Sequence, residues 1–139
     1  MKVKDVMSRK VFSIRVDKKA FTARQIMDWA HIRHVPVVDR ANRVVGVVSH
    51  RDVLEASVSS LTEHGPRVDA DRPLMDAPIV ALMHKPARTT VPDATVAEAA
   101  RIMLDEHLGC LPVVEGDVLV GIVTEADLLR VLVECPNAR

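Results

Sequence analysis

The sequence predicts an α/β (α+β) fold: two β-α-β-β-α repeats packed as a pseudo-two-fold pair that dimerises further. Three observations predict it. The chain superimposes on itself, each copy carries an apolar stripe at helical spacing, and each stripe is followed by two short, nearly continuous apolar runs. In the self-superposition Met7 falls on Met83, Asp17 on Asp93, Ala23 on Ala99, Ile26-Met27 on Ile102-Met103, His31 on His107 and Pro36-Val37-Val38 on Pro112-Val113-Val114. One residue is then lost in a turn, and the match resumes with Gly46 on Gly121, Ser49 on Thr124, Asp52 on Asp127 and Leu54 on Leu129. Turns tolerate such length changes best.

The elements follow in order. A short strand, residues 12–16 or 89–91, leads into an amphipathic helix expected at 21–32 or 96–108, where Ala23, Ile26, Met27 and Ala30, or Ala99, Ile102 and Met103, recur on one face. Thr95 with Glu98 three residues on is a capping box that starts the second of these helices. The runs ValProValVal and ValValGlyValVal, or LeuProValVal and ValLeuValGlyIleVal, read as hairpins of buried strands, split by AspArgAlaAsnArg or GluGlyAsp. Ser49 or Thr124 then opens a last helix. Residues 59–76, with Gly65-Pro66 and Pro73 among polar residues, read as a linker. The expected division is a first repeat at 1–58, the linker, a second repeat at 77–133 and a tail at 134–139. One such unit has a single apolar sheet face and is marginal alone, so the copies are expected to share a core. Apolar helix positions left over, Val53, Leu54, Val131 and Leu132, point to a homodimer.

Composition narrows the function. Lys plus Arg and Asp plus Glu both number 19, so no global field favours nucleic acid or an anionic membrane. Aromatic residues make up 2%, which removes base-stacking platforms. The N-terminus is charged from its second residue and carries no signal-peptide core, and no run is long enough to span a membrane. Two cysteines without a CxxC spacing fit a reducing compartment, so the expected location is the cytoplasm. GxGxxG, GxxxxGK[ST], HExxH and GxSxG motifs are missing, and no nucleophile and base can be paired from spacing. The sequence argues against an enzyme, and no cofactor or metal is required.

The chemistry-bearing segment is Gly-hydrophobic-hydrophobic-Ser/Thr-x-x-Asp: residues 46–52 read GlyValValSerHisArgAsp and residues 121–127 GlyIleValThrGluAlaAsp. Locally it is a helix capping box. A helix start directly after a buried strand also presents free N–H groups that suit a phosphate, and the acid can accept from a ribose diol.

On the Asp5-Val6-Met7 opening, the HisIleArgHisValProValValAsp and HisLeuGlyCysLeuProValValGlu helix-to-strand segments, and the two Gly-x-x-Ser/Thr-x-x-Asp endings, the chain resembles paired CBS domains, the Bateman module, over almost its whole length. The resemblance implies a regulatory module whose clefts, between the repeats, take an adenine-containing ligand such as AMP, ADP, ATP or S-adenosylmethionine. It implies a first site with Ser13 and Ile14 beside the base, Val35 and Pro36 on the wall, Ser49 near the phosphate or ribose, and Asp52 on the ribose hydroxyls. The second site would use Thr89, Thr90, Leu111, Pro112, Thr124 and Asp127.

The copies diverge where the family often meets phosphate. The first has Arg33, His34, His50 and Arg51; the second has Gly109, Cys110, Glu125 and Ala126. Charge-assisted hydrogen bonds from arginine contribute roughly 1.5–3 kcal/mol each when sheltered. The first site is therefore expected to prefer phosphorylated ligands, and the second to be empty, neutral-binding or structural. His31 and His107 lack companion ligands for a metal and read as helix C-caps or packing residues, and Cys110 reads as a buried thiol. Three classes remain: a sensor passing ligand binding to a regulated protein partner, an oligomerisation scaffold with degenerate clefts, and, least supported, an enzyme using Asp52, His50 or Cys110.

Overall fold

The structure, a computed structural model, describes residues 1–55 and 76–135. The linker expected at 59–76, apart from Asp76, and the tail from residue 136 lie outside the described residues. The elements run α1 (Val3–Val6), β1 (Ile14–Arg15), α2 (Ala20–Ala30), β2 (His34–Val38), β3 (Val44–Ser49) and α3 (residues 50–55). After a 3₁₀ turn at Ile79–Ala81 come α4 (Val96–Glu106), β4 (Cys110–Glu115), β5 (Val118–Thr124) and α5 (Glu125–Glu134). Both β-α-β-β-α repeats are present in a mixed α+β fold.

Packing divides the chain differently from sequence order. One compact unit is Phe12–Ala87; the other joins Met1–Val11 to the residues from Arg88 onward. Each repeat is thus completed by a short segment that precedes the other repeat along the chain.

In the unit of residues 12–87, β1 pairs parallel with β2 (Ile14 with Val37) and β2 antiparallel with β3 (His34 with Ser49, Val37 with Gly46). The residues after the 3₁₀ turn then close the free edge of β3: Val47 and His84 exchange both backbone hydrogen bonds, at 3.1 and 2.8 Å. Four consecutive buried residues in β2, Val35 to Val38, explain its unbroken apolar run, since both faces of the strand are covered. Ala20, Ala23 and Met27 of α2 pack with Ile14, Val35, Val37, Val48, Val53 and Ile79 into one core cluster.

The other unit repeats the plan. β4 pairs with β5, Thr90 bridges to Val113 in place of a full strand, and Ser8 exchanges both backbone hydrogen bonds with Ile122, at 2.9 and 3.0 Å. Its core is Val3, Ala99, Met103, Leu111, Val113 and Val123. Each unit has its own buried apolar cluster, and the donated segments supply Val3 to one and Ile79 to the other.

Several boundaries differ from the sequence reading for local reasons. The strand expected at 12–16 is only Ile14–Arg15, and that expected at 89–91 is the single bridge of Thr90. Both long helices stop early, because His31 (φ 56°) and His107 (φ 55°) turn left-handed and donate their backbone N–H to Met27 and Met103. The two histidines are indeed C-caps. Thr95 and Glu98 form the expected reciprocal cap, at 3.0 and 2.8 Å. The hairpin turns are set by positive φ at Asn42 and at Gly116-Asp117, with Asp39 accepting from the Ala41 and Arg43 amides in the first.

The glycine of each chemistry-bearing segment has a steric cause. A Cβ on Gly46 would stand 2.7 Å from Met83 Sδ and 2.9 Å from the His84 carbonyl oxygen; on Gly121 it would stand 2.7 Å from Met7 Sδ and 3.0 Å from the Ser8 carbonyl oxygen. The edge segment lies on the strand at a distance only glycine permits. This also accounts for Asp5-Val6-Met7: Asp5 accepts the Lys2 N–H at 2.8 Å to start α1, Val6 packs on the core, and Met7 seats over Gly121.

Candidate functional site

Each proposed set of site residues falls within one packing unit. Ser13, Ile14, Arg33, His34, Val35, Pro36, Ser49, His50, Arg51 and Asp52 belong to the unit of residues 12–87; Thr89, Thr90, Leu111, Pro112, Thr124 and Asp127 belong to the other. Ile14 and Val35 lie in the first core, Leu111 in the second, and Pro36 and Pro112 are fully buried. Ser13 and Thr89 are half-buried, and Thr90 is buried with its amide donating to the Pro112 carbonyl at 3.0 Å.

At the end of β3 the chain passes from strand to helix and leaves amide N–H groups without helical partners. Asp52 and Ser49 close this end reciprocally: the Ser49 N–H donates to Asp52 Oδ2 at 2.7 Å, and the Asp52 N–H to Ser49 Oγ at 3.1 Å. Thr124 and Asp127 do the same at the start of α5, at 2.8 and 3.4 Å, with the Thr124 hydroxyl also donating to Asp127 Oδ2. Capping therefore engages one oxygen of each carboxylate.

The second oxygen is engaged differently in the two repeats. Arg130 Nη1, on the same helix, donates to Asp127 Oδ1 at 3.1 Å. His84 Nε2, from the edge segment beside β3, stands 2.7 Å from Asp52 Oδ1. A carboxylate offers about four lone-pair sites, so both aspartates keep acceptor capacity for a ligand.

The four basic residues of the first repeat separate. Arg33 and His50 line one open groove of about 500 Å³ together with Met27, Asp28, His31 and Ile32. A 2.7 Å hydrogen bond from the His50 amide to the Arg33 carbonyl fixes their spacing. Arg51 turns away, 85% exposed and 3.7 Å from Glu55. His34 is half-buried at the start of β2, opposite Ser49. In the second repeat Cys110 takes the place of His34; burial and the nearby Glu125 carboxylate push its thiol up to about 12, which leaves it un-ionised at neutral pH.

His84 is a candidate site residue that the sequence reading missed. Extending the repeat by one residue beyond Met7 and Met83 sets Ser8 opposite His84, so the difference between the copies was visible. Its partner was not, because Asp52 lies 32 residues away.

No group of three or more metal-ligating side chains occurs among the described residues. No helix among them is long and apolar enough to cross a membrane.

Comparison with known proteins agrees with this architecture. The CBS domain family model matches residues 3–59 and 79–134. The chain is 30% identical to a CBS domain-containing protein of Dictyostelium discoideum, over 95% of this chain and 91% of that one. It is 31% identical to an uncharacterised protein of Methanocaldococcus jannaschii over 96% of its own length, but spans only 32% of that relative. Among solved structures, a putative acetoin utilization protein (AcuB) from Vibrio cholerae superimposes with a TM-score of 0.79 at 34% identity, covering 96% of this chain and 91% of that one. The CBS domain pair of protein MJ0100, in complex with 5′-methylthioadenosine and S-adenosylmethionine, has a TM-score of 0.80 at 24% identity, covering 96% and 97%. CBSX2 in complex with AMP has a TM-score of 0.80 at 22% identity, covering 98% of each chain. With both repeats matched, each carrying its strand-to-helix cap and its glycine-seated edge segment, the chain belongs to the CBS domain family as a tandem pair.

Proposed function

We propose that this CBS pair is a non-catalytic sensor whose first repeat binds an adenine-containing ligand and passes the change to a partner protein. The observation that carries this reading is the grouping of Arg33 and His50 on one groove, in the same repeat as the Ser49–Asp52 cap. Two arginine or histidine donors and a helix start supply what a phosphate needs, and Asp52 supplies an acceptor for ribose hydroxyls. Half-buried Ser13 lies nearest the base in this reading, with the buried Ile14, Val35 and Pro36 as the packed wall behind it. That solved CBS pairs carry AMP, S-adenosylmethionine or 5′-methylthioadenosine supports the ligand class.

The second repeat, with Thr89, Thr90, Leu111, Pro112, Thr124 and Asp127, lacks counterparts of Arg33, His34, His50 and Arg51, adds Glu125, and has its one nearby arginine, Arg130, already bonded to Asp127. In this reading it takes a neutral or zwitterionic ligand or serves structure alone. Two free cysteines, one of them buried, fit a reducing cytoplasm; of the apolar positions expected to be left over, Val53 is instead buried in the first core and Val131 is half-buried, while exposed Leu54 and Leu132, with Leu129 and Val133, fit assembly as a homodimer.

A specific observation favours a second reading, a scaffold with degenerate clefts: both aspartates are already engaged by side chains of their own packing units, and Arg51 pairs with Glu55. Calorimetric titration with AMP, ADP, ATP and S-adenosylmethionine, followed in parallel by thermal denaturation, separates the two. Saturable binding of a phosphorylated adenosine ligand near one per chain, with a raised Tm, is the expected result. Failure of all four ligands to bind would leave the scaffold.

A further inference from the structure

The two aspartate caps are alike in geometry and unlike in the side chain that meets the second carboxylate oxygen. In the second repeat that side chain is local, Arg130 three residues along the same helix. The first repeat has Glu55 at that place, and Arg51 engages it. Its Asp52 is met instead by His84, from a different stretch of chain. The unit that contains Asp127 has Ser8 where the unit of residues 12–87 has His84, and among the hydrogen bonds of the Ser8 hydroxyl is one to the Lys10 carbonyl at 3.2 Å.

His84 is anchored by its backbone. Two hydrogen bonds tie it to Val47, and the preceding Met83 seats against Gly46. Its imidazole is 76% exposed, whereas the Asp52 side chain is 9% exposed. The ring therefore stands on the outer side of a sheltered carboxylate, and it can swing away without breaking the strand edge that holds it. Asp52 needs no help from His84 to keep its orientation, because the Ser49 amide already holds Oδ2 at 2.7 Å.

A ribose cis-diol presents two donors to one carboxylate. With Oδ2 engaged by the cap, the oxygen best placed to receive them is Oδ1, the one His84 holds. The contact is as short as a charge-assisted hydrogen bond, so displacing it carries a cost set against ligand binding.

We propose that His84 is the specificity-determining residue of the first-repeat site: its ring covers the outer side of Asp52 and holds one lone-pair site of Oδ1, so a nucleoside must move the ring aside to bring its ribose hydroxyls to the carboxylate. The inference rests on reading Asp52 as the ribose acceptor. Its direction is distinctive. A residue that merely supported the fold would weaken binding when removed; a competitor strengthens it.

The test titrates adenosine and 2′,3′-dideoxyadenosine into the full chain and into His84→Ser, the substitution that copies Ser8, its counterpart in the other unit. His84→Ala is a second variant, and thermal denaturation confirms that each is folded. Adenosine is expected to bind both variants about tenfold more tightly than the unsubstituted chain, with dideoxyadenosine affinity unchanged. Adenosine binding to the unsubstituted chain that is equal or weaker in both variants overturns the proposal while leaving Asp52 as the ribose acceptor. Equal tightening for both nucleosides also overturns it, since the gain would not pass through the hydroxyls. No adenosine binding by any of the three proteins overturns the reading of Asp52, and the role of His84 falls with it.

Discussion

Gly46 and Gly121 show how much of this fold rests on single atoms. Each lies under a methionine sulfur and a backbone carbonyl, so an added methyl group forces the edge segment off its strand. Gly121→Ala is expected to destabilise the unit built on β4 and β5 by about 1–3 kcal/mol, read by chemical denaturation. Gly46→Ala carries the same cost in the other unit and also shifts His84, whose carbonyl is one of the atoms displaced. These glycines stand out in the sequence as repeat matches, but their reason is legible only once Met7 and Met83 are seen to seat over them. A glycine in a strand signals close approach without naming what approaches.

At the scale of the element, the strand-to-helix turn carries both structure and chemistry. Asp127 and Asp52 each satisfy an orphan amide at a helix start, so replacing either with alanine is expected to cost about 1 kcal/mol of stability in thermal or chemical denaturation. Ligand affinity should separate them: Asp52→Ala abolishes nucleotide binding, and Asp127→Ala leaves phosphorylated ligands nearly unaffected. Equal losses in the two variants would remove the distinction between the repeats. The capping spacing was readable from sequence because a cap is a contact of three residues' reach. The ends of α2 and α4 were read too long, since the apolar stripe continues into Ile32 and Leu108 while the backbone has already turned left-handed at the preceding histidine. Periodicity reports which side chains face the core, not where the hydrogen-bond ladder stops.

At the scale of the whole molecule, each repeat is finished by the segment ahead of the other. Residues 1–11 bring Val3, fully buried, together with Val6 and Met7 to the second repeat, and they anchor through Ser8 to Ile122. Deleting residues 1–11 is therefore expected to strip amide-exchange protection from β4 and β5 while sparing β2 and β3. Loss confined to the first repeat would contradict the exchanged packing. The repeat boundaries of the sequence and the units of the fold thus describe different things: one follows the order of the elements, the other follows which segment closes which sheet edge.

The sequence by itself determined the repeat, the order β-α-β-β-α, the capping aspartates and the asymmetry of the basic residues, because each is written in local spacing or in the comparison of one copy with the other. Only the tertiary structure decided which segment completes each sheet and core, that Arg33 and His50 share a groove while Arg51 leaves it, and that His84 holds Asp52. These depend on edge pairing between residues far apart in the chain. A strand edge presents backbone groups common to every residue, so the sequence carries little record of the partner it will choose.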